Sequence, residues 1–96
     1  MLKGKQKCYL RGLANTMPSF FQVGKDGLSQ TVYDTVRKAL IANELIKLNV
    51  LKTCEIEVDE VAKELAKATR SDVVQIIGRT IVLYKPAKEP KIVLPK

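Results

Sequence analysis

The chain has 96 residues, 46% of them hydrophobic, with 17 Lys and Arg against 10 Asp and Glu and no His, giving a net charge of +7. That length fits one domain with a modest core, since chains of this size bury roughly 60 to 65% of the surface they expose when unfolded; no apolar run approaches the roughly 18 residues of a membrane span, and the lysines after Met1 lead into no signal-peptide core. Without His, a cluster of Cys ligands or a Ser beside a suitable base, the usual metal-assisted and nucleophilic routes lack their parts, so no enzyme, metal, cofactor or small-molecule substrate is expected.

Residues 3–15 space Leu10, Leu13 and Ala14, then Met17, at helical intervals, while Lys3, Lys7 and Arg11 repeat every four residues on another face. This predicts an amphipathic helix with a basic ridge that no acid at i±4 neutralises. Pro18 and Ser19 close the connection, and Phe20-Phe21-Gln22-Val23 reads as a strand stopping at Gly24. Gly24, Lys25, Asp26 and Gly27 then make a GxxG loop before a helix that opens at Leu28-Ser29. The two glycines allow positive φ and a close partner. The first N–H groups of a helix, backed by its dipole, seat a phosphate, and Lys25 adds a full charge beside them. No Gly-Lys-Ser/Thr follows, so this is not a Walker loop. Ser29 is the predicted N-cap, Leu28 and Tyr33 a hydrophobic staple, and Val32, Val36, Ala39 and Leu40 the core stripe of a helix ending near Ala42-Asn43.

Residues 45–52 alternate, with Ile46, Leu48 and Val50 on one side and Lys47 and Asn49 on the other, the period of a half-exposed strand. Val58, Val61, Ala62, Leu65 and Thr69 predict a third helix entering near Asp59. Its Lys63 and Lys67 can meet acids three or four residues earlier, so this charge-balanced face is assigned to stability. The nearby Glu55, Glu57, Asp59 and Glu60 read as a solvated entry to that helix. Residues 72–77 are apolar on both faces apart from Gln75, the pattern of an interior strand. Gly78-Arg79 fits a type II′ hairpin turn holding Arg79 at an exposed tip, with residues 80–84 as the returning strand. Residues 85–96 contain three prolines and predict an extended surface tail with residues 92–94 packed down.

The order α-β-α-β-α-β-β implies an α/β two-layer sandwich with one mixed four-stranded sheet, its first three strands parallel and the last added by the hairpin. Charge is uneven along the chain: residues 1–25 carry five cations and no acid, residues 26–69 sum to −2, and residues 70–96 to +4. A fold that brings the two ends together has a basic face, the footprint of a nucleic-acid binder. Cys8 and Cys54 lie in different elements and read as reduced thiols of a cytoplasmic protein more than as a disulfide scaffold, with a single bridge between them left open. Of the five aromatics, Phe20, Phe21 and Tyr84 read as core and Tyr9 as outward-facing. So few stacking platforms favour structured RNA recognised by shape and phosphate position.

Four blocks then stand out: Lys5-Gln6-Lys7 with Leu10-Arg11 and Leu13-Ala14; Gly24-Lys25-Asp26-Gly27; Glu44-Leu45-Ile46-Lys47 before a strand; and Gly78-Arg79-Thr80-Ile81-Val82-Leu83-Tyr84 before a proline. In this order they resemble the CRM domain, the chloroplast RNA splicing and ribosome maturation module, in its free-standing bacterial YhbY-type form. The resemblance covers essentially the whole chain, as a single domain of residues 1–96 with residues 85–96 as its tail. It implies a fold similar to the C-terminal domain of translation initiation factor three, RNA binding through the GxxG loop and a basic face, and association with rRNA in precursors of the large ribosomal subunit. On matching positions it places Gly24, Lys25 and Gly27 in the RNA-contacting loop and makes Lys5, Lys7 and Arg11 phosphate contacts. Lys3 on the same ridge and Arg79 at the hairpin tip complete the candidate set. Asp26 departs from the pattern by placing a carboxylate in that loop, and receives no ligand role. The alternative from another class is a protein-binding adaptor that docks an acidic partner through the same ridge. A membrane-surface role is disfavoured because the first helix has no Trp or Phe to enter the interface.

Overall fold

The computed structural model describes residues 3–25, 27–86, 92 and 94, which form α1 (Gly4–Ala14), β1 (Phe21–Val23), α2 (Gln30–Asn43), β2 (Leu45–Val50), α3 (Val58–Thr69), β3 (Asp72–Ile77) and β4 (Thr80–Tyr84). Asp26 and most of the proline-containing tail lie outside the described residues. The element order is the expected one, and the strands make one mixed sheet in the order β1-β2-β4-β3. Strands β1 and β2 pair in parallel, while β4 is antiparallel to both β2 and β3. The first three strands therefore share a direction, with β4 wedged between the second and third.

Each face of the sheet has its own core. On one, Val23, Ile46, Leu48, Val50, Ile81 and Leu83 meet Val32, Val36 and Leu40 of α2 and Val61, Ala62 and Leu65 of α3. On the other, Leu45, Val74, Val82 and Tyr84 meet Leu10 and Ala14 of α1, with Met17, Ile92 and Leu94 packed alongside. Burial of Tyr84, and then the negative charges of Glu44 and Asp72, push its hydroxyl above the ordinary tyrosine pKa. α1 lies on the sheet along its i, i+4 row, which leaves Leu13, expected in the core, 36% exposed.

Three expectations about the strands and helices change. The second face of β2 is covered in part: α1 lies over its Leu45 end, and Lys47, half-buried, turns its ammonium to the end of that helix, where Nζ donates to Ala14 O (3.4 Å) and Met17 O (3.3 Å), while Asn49 beyond it stays half-buried. β3 is an edge strand, not an interior one. It is apolar on both faces because Val73 packs on one core and Val74 on the other, and its far end leaves Ile76 and Ile77 37% and 56% exposed. Covering both faces of a strand does not require a neighbour on each edge. Finally, Lys63 and Lys67 form no ion pairs; among the described residues the one ion pair is Arg37–Asp34 on α2, at 3.1 Å. Exposed pairs gain little against the entropy of holding two long side chains.

The predicted caps and turn hold. Ser29 Oγ accepts from Val32 N at 3.4 Å, and Leu28 and Tyr33 both pack on the α2–α3 core. Ile77 and Thr80 flank the hairpin, where Gly78 has φ +58 and Arg79 does not enter the positive region, as a type II′ turn requires.

Candidate nucleic-acid interface

Because β1 and β2 are parallel, the chain leaves both at the same end of the sheet, and Leu51 N donates to Val23 O (2.8 Å) where they part. Gly24 sits against this junction: a Cβ on it would lie 3.4 Å from Leu51 Cδ1. Gly27 closes the loop, its N–H donating to Gly24 O (3.0 Å). Positive φ was expected of both glycines, but only Gly27 needs it, at +63°, and a Cβ there would come 3.2 Å from Ile56 Cδ1. Gly27 is buried and its amide is spent inside the loop, so it shapes the turn; Lys25 is exposed on it. Ser29 satisfies the Val32 amide. The N–H groups of Gln30 and Thr31 in the same first turn have no intrahelical acceptor and face the positive end of the dipole.

Arg79 is exposed at the hairpin, as expected, but its guanidinium is not free. Nε donates to Val50 O and Nη2 to Leu51 O, each at 3.0 Å, while Val50 N donates back to Arg79 O at 2.7 Å. The arginine thus ties the hairpin to the junction against which Gly24 packs. Gly24, Lys25, Gly27 and Arg79 are brought together at one end of the sheet.

The remaining candidates belong to another layer. α1 packs on the face opposite α2 and α3, with Leu10 and Ala14 over Leu45, Val82 and Tyr84. Lys3 is its N-cap residue, its backbone N–H donating to Gln6 Oε1 at 3.0 Å. Lys3, Lys5 and Arg11 are exposed, Lys7 is half-buried, and none has an ion-pair partner among the described residues.

The sequence matches the family model of the CRS1 / YhbY (CRM) domain over residues 2–85. The chain belongs to the CRM domain family. It is similar to the probable RNA-binding protein YqeI of Bacillus subtilis, 50% identical over 91 residues that span 95% of each chain. An RNA-binding protein of Haemophilus influenzae is 35% identical over 95 residues, covering 99% of this chain and 96% of its own. The solution structure of a hypothetical protein from Staphylococcus aureus superimposes with a TM-score of 0.83 at 43% identity, over 99% of this chain and 100% of that one.

Sequence reasoning assigned no role to Lys52 of this CRM domain. Val23 pairs with Val50, so Lys52 stands two residues beyond the end of β2 just as Lys25 stands two beyond the end of β1, and both are exposed. Only the β1–β2 register reveals that equivalence. Phe20, expected in the core, is 44% exposed, and Tyr9 on α1 is 43% exposed as expected. Cys8 is exposed and Cys54 buried, both as free thiols. Among the described residues no helix is long and apolar enough to cross a membrane.

Proposed function

We propose that this CRM domain binds structured RNA by its phosphates, through the glycine loop (Gly24, Lys25, Gly27), Arg79 and the α1 cations Lys3, Lys5, Lys7 and Arg11. Its RNA is rRNA in precursors of the large ribosomal subunit, met in the cytoplasm, and the chain acts as one module with residues 85–96 as its tail. The observation that carries this reading is the sheet end where a glycine loop, open first-turn amides and the cations Lys25, Lys52 and Arg79 adjoin, the two lysines having no ion pair among the described residues. Such a corner offers a polyanion both hydrogen-bond donors and charge. The names of the Bacillus and Haemophilus relatives support RNA as that polyanion. The family is one of RNA-binding domains and not of enzymes.

With about four to six phosphates neutralised, log K for an rRNA fragment falls against log salt with a slope of roughly −3 to −5. A flat salt profile overturns the reading. Sedimentation of cell extract tests the finer claim: the protein travels with immature large-subunit particles, leaves mature ones, and is released by nuclease. Attachment that survives nuclease identifies a protein-docking adaptor instead.

A further inference from the structure

Beside the glycine loop and the hairpin lies a strip of sheet that none of the described helices covers. Cross-strand partners share a face, and the register aligns Gln22 with Asn49, Asn49 with Thr80, and Thr80 with Ile77, one row across all four strands. By alternation this row faces the α1 side. α1, however, packs on Leu45, Val74, Val82 and Tyr84, toward the other end. Gln22 and Ile77 are exposed, and Asn49 and Thr80 half-buried. On this face the row is the last before the chain turns at Gly24, Leu51 and Gly78, with only Val23 and Val50, which point to the other face, beyond it, so it borders the proposed phosphate-binding corner.

The strip is uncharged, and its central amide is held in place. Asn49 Oδ1 accepts from Ser19 Oγ (3.1 Å) and from Thr80 Oγ1 (2.9 Å), which fills both lone pairs of that oxygen and fixes the amide plane. Asn49 Nδ2, with two hydrogens to donate, has no partner among the described residues. Among the described residues no buried side-chain nitrogen or oxygen lacks one, so this group reaches solvent. Gln22 presents a second open amide beside it. Phe20, just before β1, is exposed, its ring resting against that of Phe21 at 5.7 Å and 31°.

We propose that this strip is a base-reading subsite. An RNA strand held by its phosphates at the loop lays an unpaired nucleotide across the row, where Asn49 Nδ2 donates to an acceptor on the base edge and Gln22 supplies a second directional contact. Ser19 and Thr80 are positioning residues, acting through the Asn49 amide. The inference rests on the RNA-binding reading and divides the labour within it. Cations at the corner give affinity and salt dependence, whereas neutral, oriented amides release no counterions and give selectivity.

The test is fluorescence anisotropy of the whole chain with three RNA hairpins that share one stem and carry a loop of U, of C or of A, over a range of salt. The wild type is expected to prefer one RNA hairpin by about tenfold, the discrimination one well-placed amide contact provides. Asn49→Ala and Gln22→Ala each level that preference without changing the salt slope, and Thr80→Val weakens it in part. Lys25→Ala lowers all three affinities alike and flattens the slope. Gln22 is exposed on a three-residue edge strand, so Gln22→Ala carries the test even where Asn49→Ala lowers the melting point. Equal binding of the three RNA hairpins by the wild type, or an unchanged preference in both amide variants, overturns the subsite and leaves the phosphate grip standing. If Lys25→Ala also leaves both affinity and slope untouched, the RNA-binding reading itself fails.

Discussion

Gly24 and Gly27 stand in one motif yet answer to different constraints, and the difference can be measured. An alanine at position 27 must hold φ near +63° and push Ile56 aside from 3.2 Å. A left-handed backbone costs an L-residue about 1–2 kcal/mol, so Gly27→Ala is expected to lower the thermal midpoint by roughly 5 to 10 °C. An alanine at position 24 has no positive φ to hold and meets Leu51 Cδ1 at 3.4 Å, an ordinary contact. Gly24→Ala therefore melts within about 2 °C of the wild type, and any loss of RNA affinity it shows is a loss at the interface. Melting followed by circular dichroism, set beside anisotropy on the same variants, separates the two. The spacing of the glycines was legible in the sequence; which of them bends the chain was not, because that depends on Ile56 and Leu51 arriving from elsewhere. Arg79 makes the same point. Its place at a hairpin tip follows from Gly78, whereas the return of its guanidinium to Val50 and Leu51 depends on β2 ending beside the turn.

Helices and strands announce themselves by period, so the extents of α2 and α3 were readable to within a residue or so. Their neighbours were not. An edge strand with a helix on each face carries the same apolar pattern as an interior strand, and β3 was misread for that reason. Lys47 belongs to this scale too, because the polar side of β2 looked solvent-facing until α1 was laid on it. Its ammonium closes the carboxyl end of α1 through Ala14 O and Met17 O. Lys47→Met keeps the stem and removes those bonds, and is expected to cost about 1 kcal/mol in urea unfolding, the usual net value of such a contact. Since that charge is committed to the helix end, the salt slope of RNA binding stays at its wild-type value. A slope shallower by about one unit would instead make Lys47 a phosphate contact.

Across the whole molecule, the block order and the concentration of cations at the ends of the sequence were visible from the start, and they led to the right family. The corner itself was not visible, since the equivalence of Lys52 with Lys25 and the row from Gln22 to Ile77 exist only once distant strands are in register. Strand order has a further consequence, for the chain's synthesis. Among the described strands β4 comes last in the sequence, and it is the one with which both β2 and β3 pair. While it is still inside the ribosomal exit tunnel, the nascent chain holds a β1–β2 pair and a lone third strand with no shared neighbour, and non-local pairing of this kind closes late. A chain truncated after Gly78 is expected to show no cooperative melting transition, whereas one truncated after Pro86 keeps all four strands and melts as a unit. Competence therefore waits on β4 itself, and a copy that stops short of it has no joined sheet to present.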